Sequence, residues 1–179
     1  MGKWLRRAFT TDMPYWSAMS SLTVIAILPS LGLVAALLLI ELTLGVPISN
    51  LAPDIAIRSF SDSVPRLVVG VPLMETAILG MGLSILAMFR LSPLLTSAIS
   101  AFGWALAHAV FSAPFHFFGV IWLFFVCSRG YLTWRSRGLP QALGIACVPH
   151  MAQNFLVVYV VSSLDLRSCD VTNSVVPAA

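Results

Sequence analysis

The sequence predicts an all-α integral membrane protein, a polytopic helical bundle of about five transmembrane helices. Of its 179 residues, 59% are apolar and only 9% are charged, whereas average proteins carry about 25% charged residues. A soluble core of this size cannot absorb so much apolar surface. The apolar residues also fall into stretches of about 20, the length that a helix needs to cross the hydrocarbon core.

The first three predicted spans have recognisable ends. Tyr15 and Trp16, aromatic residues typical of the membrane interface, precede the first span at residues 17–44. The polar, proline-containing segment that follows, 46–65, predicts an external loop with a short interfacial helix around Ile55–Phe60. The next two predicted spans, separated by a short connection, are residues 67–89 and 92–111.

The last two spans complete one membrane domain, residues 1–179. The residue before a proline avoids the helical region, so the break between the third and fourth spans is predicted at Pro114. The fourth span is then 115–134. It is rich in Phe and Trp, which we expect to face lipid or to pack. A basic turn leads to the fifth span, 140–164, where Pro140 suits a helix start. Residues 165–179 are predicted to be a polar, frayed C-terminal tail.

Positive charges on alternate connections predict the topology. With five spans, one side of the bundle carries the basic residues Lys3, Arg6, Arg7, Arg90, Arg135 and Arg137. The positive-inside rule then puts the N-terminus inside and the C-terminus outside. We therefore expect a multi-pass protein of a bacterial cytoplasmic membrane, whose surroundings are the lipid bilayer. No basic stripe indicates a nucleic-acid partner.

Four polar side chains interrupt the apolar spans: Glu75, His108, His150 and Asn154. A charge at the centre of a bilayer costs roughly 2.5–3.5 kcal/mol on insertion scales, so such residues usually mark function. His150 and Asn154 are four residues apart and share a helix face.

Counting residues from the predicted span ends gives a depth for each of these groups. At about 1.5 Å per residue, Glu75 lies roughly 13 Å from the outer boundary, Asn154 roughly 16 Å, and His108 only about 6 Å. His150 is one turn deeper than Asn154. We therefore expect three of the groups at a shared depth and His108 one to two turns above them, unless tilt or a buried turn closes the gap.

In order along the chain, the segments around these residues resemble a known family. The motifs EExxxR, FxxxH and HxxxN/D belong to the CPBP family of intramembrane glutamic proteases, which includes the CAAX-processing enzymes. Pro149-His150-Met151-Ala152-Gln153-Asn154 matches the third motif in full, and the second motif matches with Trp104 in place of Phe. The resemblance covers residues 65–160, the CPBP-like protease core, and only the ordered combination is specific.

The first motif departs from the family pattern in either alignment. If Gly80 is aligned to the glycine that commonly follows the motif, Glu75 takes the second Glu position, Met74 the first and Leu79 that of the Arg. If Glu75 is instead the first Glu, Thr76 replaces the second and Gly80 the Arg. One Glu and the Arg are missing in both cases.

The resemblance implies an intramembrane endopeptidase without a cofactor, acting on a membrane-anchored protein or peptide. Glu75, assisted by His108, would activate a water, and His150 with Asn154 would donate hydrogen bonds to the tetrahedral oxyanion. Removing one oxyanion donor typically costs about 10²–10³ in rate. If the predicted topology holds, the site opens to the external face, which fits an exported, anchored substrate.

The same four residues are also compatible with different roles. Glu75 could be a protonated structural group, and His150 with Asn154 could bond neighbouring helices together. The set could instead ligate zinc with an open position for water, although the sequence has no HExxH motif. The degenerate first motif also fits a catalytically inactive relative that binds a peptide or protein, in an immunity or scaffold role. A small transporter or proton relay is a further hypothesis.

Overall fold

The computed structural model describes residues 7–45, 60–112 and 116–172. Within these ranges the chain forms helices and turns without any strand, and five helices are long and apolar enough to cross a membrane. The predicted all-α polytopic bundle is therefore confirmed, and the chain is a multi-pass membrane protein. The predicted helix around Ile55–Phe60 lies almost entirely outside the described residues, as do Ala113 and Pro114.

Along the described residues from Tyr15 onward, six α-helices follow one another, joined at two places by helices of different pitch. They are α1 (Tyr15–Leu44), α2 (Phe60–Ser63), a π-helical segment (Val64–Gly70), α3 (Val71–Ala87), α4 (Pro93–Phe111), α5 (His116–Trp134), a 3₁₀ turn (Arg135–Arg137) and α6 (Leu139–Thr172).

Two helix boundaries differ from the prediction. The helix that contains the second span begins at Phe60, because α2 and the π-helical segment run without a break into α3. The stretch apolar enough to cross a membrane begins at Val64, so the end of the predicted loop is helical. The last helix continues to Thr172, well past the predicted end at 164. Its final residues are polar, but no glycine or proline interrupts residues 150–176, so nothing in the sequence breaks the helix there.

Helix α5 lies at the centre of the bundle and packs against α1, α3, α4 and α6. Its Phe124 and Tyr131 are each 1% exposed and belong to the same core as Leu22 of α1. Polar bonds add to this packing: Trp122 Nε1 donates to the Ile25 carbonyl at 2.8 Å. The outer faces of α3 and α4 remain apolar and exposed, as expected for surfaces that meet lipid.

A polar contact joins α3 to α5 near the C-terminal ends of both helices. Arg135 Nη1 donates to Ser84 Oγ at 2.6 Å and to the Tyr131 hydroxyl at 2.8 Å. The Tyr131 ring lies directly over Gly80, where an added Cβ would be 3.1 Å from the ring. This contact fixes α3 at the end opposite Glu75.

Gly130 of α5 allows α5 and α6 to approach closely. A Cβ at this position would be 2.7 Å from Ile145 Cγ2 and 3.2 Å from Leu22 Cδ1. We expect Gly130→Ala to destabilise the bundle by about 1–3 kcal/mol, because a methyl on a β-branched side chain cannot rotate away. Thermal unfolding of protein in lipid nanodiscs measures the effect.

Gly119→Ala on the same helix is the matched control. Nothing lies within 4 Å of a Cβ at Gly119, and alanine favours a helix over glycine by about 0.8–1.0 kcal/mol. This variant should therefore be neutral or slightly stabilised. Equal losses in the two variants would contradict the close packing at Gly130.

Candidate functional site

Three helices bring the polar residues to one end of the bundle. Glu75 lies near the start of α3, and His108 lies in the last turn of α4. Because α3 and α4 are consecutive spans joined by a short turn, the start of one is level with the end of the other. His150 and Asn154 project from the middle of α6, which packs against α3.

Glu75 approaches both imidazoles. Glu75 Oε1 lies 3.8 Å from His108 Nε2, and Oε2 lies 3.3 Å from His150 Nε2. The exposed fractions of the side chains are 16% for Glu75, 20% for His108 and 5% for His150. Sequence reasoning selected these residues, and the structure brings the three together around one carboxyl group.

The gap predicted between His108 and Glu75 is closed in the structure, where their side chains lie 3.8 Å apart. The depth estimate assumed that Arg66 and Ser112 mark the same boundary of the membrane. The helix carrying Glu75 instead runs back through Arg66 to Phe60, so Arg66 does not mark the end of that helix. The imidazole of His108 thus comes within 3.8 Å of the carboxyl group.

The carboxyl group of Glu75 is close to His150 but is not satisfied by it. Oε2 is buried and makes no hydrogen bond of acceptable geometry in the structure, despite the 3.3 Å distance to His150 Nε2. The short distance alone does not make a bond, because hydrogen bonds weaken steeply when they are misaligned. Glu75 therefore retains hydrogen-bonding capacity inside the bundle.

The protonation of neutral His108 follows from its hydrogen bond to the backbone. His108 Nδ1 lies 2.9 Å from the Trp104 carbonyl oxygen, four residues earlier on the same helix. A carbonyl oxygen only accepts, so Nδ1 carries the hydrogen and Nε2 of the neutral ring is a proton acceptor. That acceptor atom is the one that faces Glu75.

Phe124 of α5 forms an aromatic wall behind both histidines. Its ring centroid lies 5.2 Å from that of His108 and 5.2 Å from that of His150, and the ring of Trp104 stacks on it at 4.9 Å. In the sequence, Phe124 is one of several aromatic residues in the span 115–134 and carries no motif of its own. The tryptophan in the second motif was the sole sequence signal for this wall.

Asn154 forms its hydrogen bond away from the carboxyl group. Its Nδ2 donates to the Leu67 carbonyl oxygen at 2.8 Å, in the π-helical segment before α3. The structure thus groups His150 with Glu75, and joins Asn154, one turn further along α6, to backbone. The amide nitrogen carries two hydrogens, and the bond to Leu67 uses one of them.

Burial separates the two alignments of the first motif. The side chain of Met74 is 58% exposed on the outer face of α3, whereas Thr76 is 3% exposed. A carboxylate at position 74 would point away from the histidines. The two residues that take the place of the motif's Arg are both covered: Leu79 is 1% exposed, and Gly80 lies under the Tyr131 ring. The guanidinium that contacts this part of α3 is that of Arg135, which donates to Ser84.

Within the three described ranges, no group of three or more His, Cys, Asp or Glu side chains is arranged to hold a metal ion. The predicted zinc alternative used Glu75, His108, His150 and Asn154. Of these, Asn154 is bonded to backbone, and the two histidines lie on different sides of the carboxyl group, one on each oxygen. Metal content in solution is the direct test of that alternative.

No protein-family model, curated protein or solved structure matches this chain. The resemblance to the CPBP proteases therefore depends on the three ordered motifs alone. The fold and site define a class, a polytopic α-helical membrane protein with a glutamate flanked by two histidines inside its bundle.

We expect Phe124→Ala to destabilise the protein by about 3–5 kcal/mol, the usual cost of removing a fully buried aromatic ring. Phe125→Ala is the matched control, because Phe125 is only partly buried and borders an open groove on the surface of the bundle. Chemical unfolding in mixed micelles would compare the two. A loss in Phe125→Ala as large as that in Phe124→Ala would contradict the wall described above.

Proposed function

We propose that this protein is an intramembrane endopeptidase of the CPBP glutamic type. The observation that carries the proposal is the convergence of one carboxyl group and two imidazoles, from three helices, inside an apolar bundle. Support also comes from the order of the three motifs, which is the order in the family.

The proposed reaction is hydrolysis of a peptide bond. Glu75 removes a proton from a water, whose oxygen attacks the scissile carbonyl carbon. The carbonyl oxygen becomes an oxyanion, and His150 donates a hydrogen bond to it. The C–N bond then breaks, and the proton held by Glu75 passes to the leaving nitrogen, so that the products are a carboxylic acid and an amine.

His108 assists at Nε2. Since its Nδ1 hydrogen is given to the Trp104 carbonyl, Nε2 accepts a hydrogen bond from the attacking water or from protonated Glu75. This acceptor role is the chemistry needed to activate a water beside a carboxylate. The apolar surroundings strengthen each of these interactions, because a low dielectric screens charge weakly.

The substrate is a membrane-anchored protein or peptide, cut in its membrane-proximal segment. Glu75 and His108 are partly exposed, so a peptide entering the bundle can reach them. With the topology expected from the basic residues, the site opens to the external face, which suits an exported, anchored substrate.

The structure also offers an argument for a second function, that of an inactive relative that binds a peptide or protein. The observation that favours it is the single carboxylate: Met74, the one position that could supply the other Glu in one alignment, faces outward. A peptide amide could then satisfy the buried Glu75 Oε2, which has no aligned hydrogen bond.

Product analysis separates the two functions. Candidate anchored proteins are co-expressed with wild type, Glu75→Gln or His108→Ala, and their new C-termini are read by mass spectrometry. We expect cleavage in wild type and a loss of about 10²–10⁴-fold in each variant, the usual contribution of general acid–base groups.

Met74→Gln is the matched control, because it introduces the same amide one residue away on the exposed face of α3. It should cleave at the wild-type rate. Equal product profiles in all four proteins, each folded and inserted, would contradict the protease proposal and favour peptide binding.

Metal removal tests the zinc alternative. We expect purified, active protein to contain far less than one equivalent of zinc by elemental analysis, and a chelator to leave cleavage unchanged, because the water is activated by a carboxylate. Loss of activity in chelator with recovery on adding Zn²⁺ would show that a metal site replaces the proposed mechanism.

A further inference from the structure

The π-helical segment before α3 leaves one backbone carbonyl without its expected donor. At the end of this segment the Val71 N–H bonds to the Arg66 carbonyl, five residues earlier. In the same register the next donor would be residue 72, bonding to the Leu67 carbonyl. Residue 72 is a proline and has no N–H, so Leu67 loses its in-register partner.

Asn154 supplies the missing donor from another helix. Its Nδ2 donates to the Leu67 carbonyl oxygen at 2.8 Å. The hydrocarbon core offers no water to replace such a bond, and an unsatisfied backbone group there is costly. Helix α6 packs along this segment and along α2 before it, where the rings of Phe60 and Phe155 meet edge to face at 6.1 Å.

The bond joins two of the three helices that carry the site. Leu67 precedes Glu75 by about two turns on a continuous helix, and Asn154 follows His150 by one turn on α6. Any sliding of α3 along α6 would stretch this bond and change the distance of 3.3 Å between Glu75 Oε2 and His150 Nε2.

We propose that Asn154 is a positioning residue that replaces the backbone donor removed by Pro72 and thereby sets Glu75 against His150. This role differs from that of an oxyanion donor, which the motif resemblance implies. The structural part holds whether or not the site hydrolyses peptides, and only its effect on turnover rests on the proposed function.

A double-mutant cycle between Pro72 and Asn154 tests the structural part. Pro72→Ala restores an N–H and removes the ring that clashes with the preceding turn, so Leu67 regains a backbone donor. Thermal unfolding is measured in lipid nanodiscs for wild type, Asn154→Ala, Pro72→Ala and the double variant.

We expect Asn154→Ala to lower Tm by about 3–10 °C in the wild-type background. In the Pro72→Ala background the same change should lower Tm by less than about 2 °C, because Leu67 no longer depends on Asn154. An equal loss in both backgrounds would overturn the proposal.

The turnover number per folded molecule is a second measurement, and a change in stability alone would not alter it. Per folded molecule, Asn154→Ala should lower kcat with little change in KM, and adding Pro72→Ala should restore most of the lost kcat. A loss of kcat that Pro72→Ala leaves unrepaired would assign Asn154 to the oxyanion instead. If no variant and no wild type cleaves, the proposed function fails, while the thermal cycle still decides the hydrogen bond.

Asn154→Leu keeps the experiment decisive if Pro72→Ala does not fold. Leucine has the same branched arrangement of side-chain heavy atoms as asparagine but has no donor, so Tm should fall at least as far as in Asn154→Ala. Wild-type Tm and kcat in Asn154→Leu would overturn the proposal.

Discussion

Hydrocarbon offers no hydrogen-bond partners, and this constraint governs every polar group in the bundle. Helical backbone satisfies most of them. Some side chains find a partner on their own helix, as His108 does in the Trp104 carbonyl. Other bonds run between helices, as those of Trp122 to the Ile25 carbonyl and of Asn154 to the Leu67 carbonyl do. Each such bond is specific in direction as well as distance, so it fixes the register of two helices in a way that apolar packing alone does not. The interhelical bonds are therefore both a requirement of the solvent and a means of building a site.

The carboxyl group of Glu75 is the case in which this requirement is only partly met. It has an imidazole near each oxygen, yet Oε2 has no aligned hydrogen bond. A group held in this condition can accept a proton or a ligand without first losing a strong internal partner. The surrounding structure keeps it there: Phe124 fixes both rings from behind, and Arg135 with Tyr131 fixes the far end of α3. Rigid packing around an unsatisfied polar centre is typical of sites that bind or react.

The fold could be predicted from sequence because its main signal is long and repeated. Each span contributes about 20 apolar residues, and errors at single positions do not change the count. The boundaries were less accurate. The helix of the second span was predicted to begin after the loop, but it starts at Phe60, since neither Pro65 nor Pro72 ends a helix whose turn can widen into π geometry. Proline marked a boundary correctly at Pro140, where it falls in the first turn and its missing N–H has no consequence.

The sequence by itself determined the membrane class, the helical bundle and the identity of the polar residues, because these follow from composition, length and the cost of polar groups in lipid. Only the tertiary structure decided which of those residues meet. In the structure Glu75 lies beside His108 and His150, and Met74 faces outward. Asn154 donates a hydrogen bond to the Leu67 carbonyl. The physical reason is that depth along each helix can be counted from residues, whereas the rotation and sliding of one helix against another depend on packing contacts far apart in the chain. Phe124 acts through such contacts, and its role has no local sequence signature.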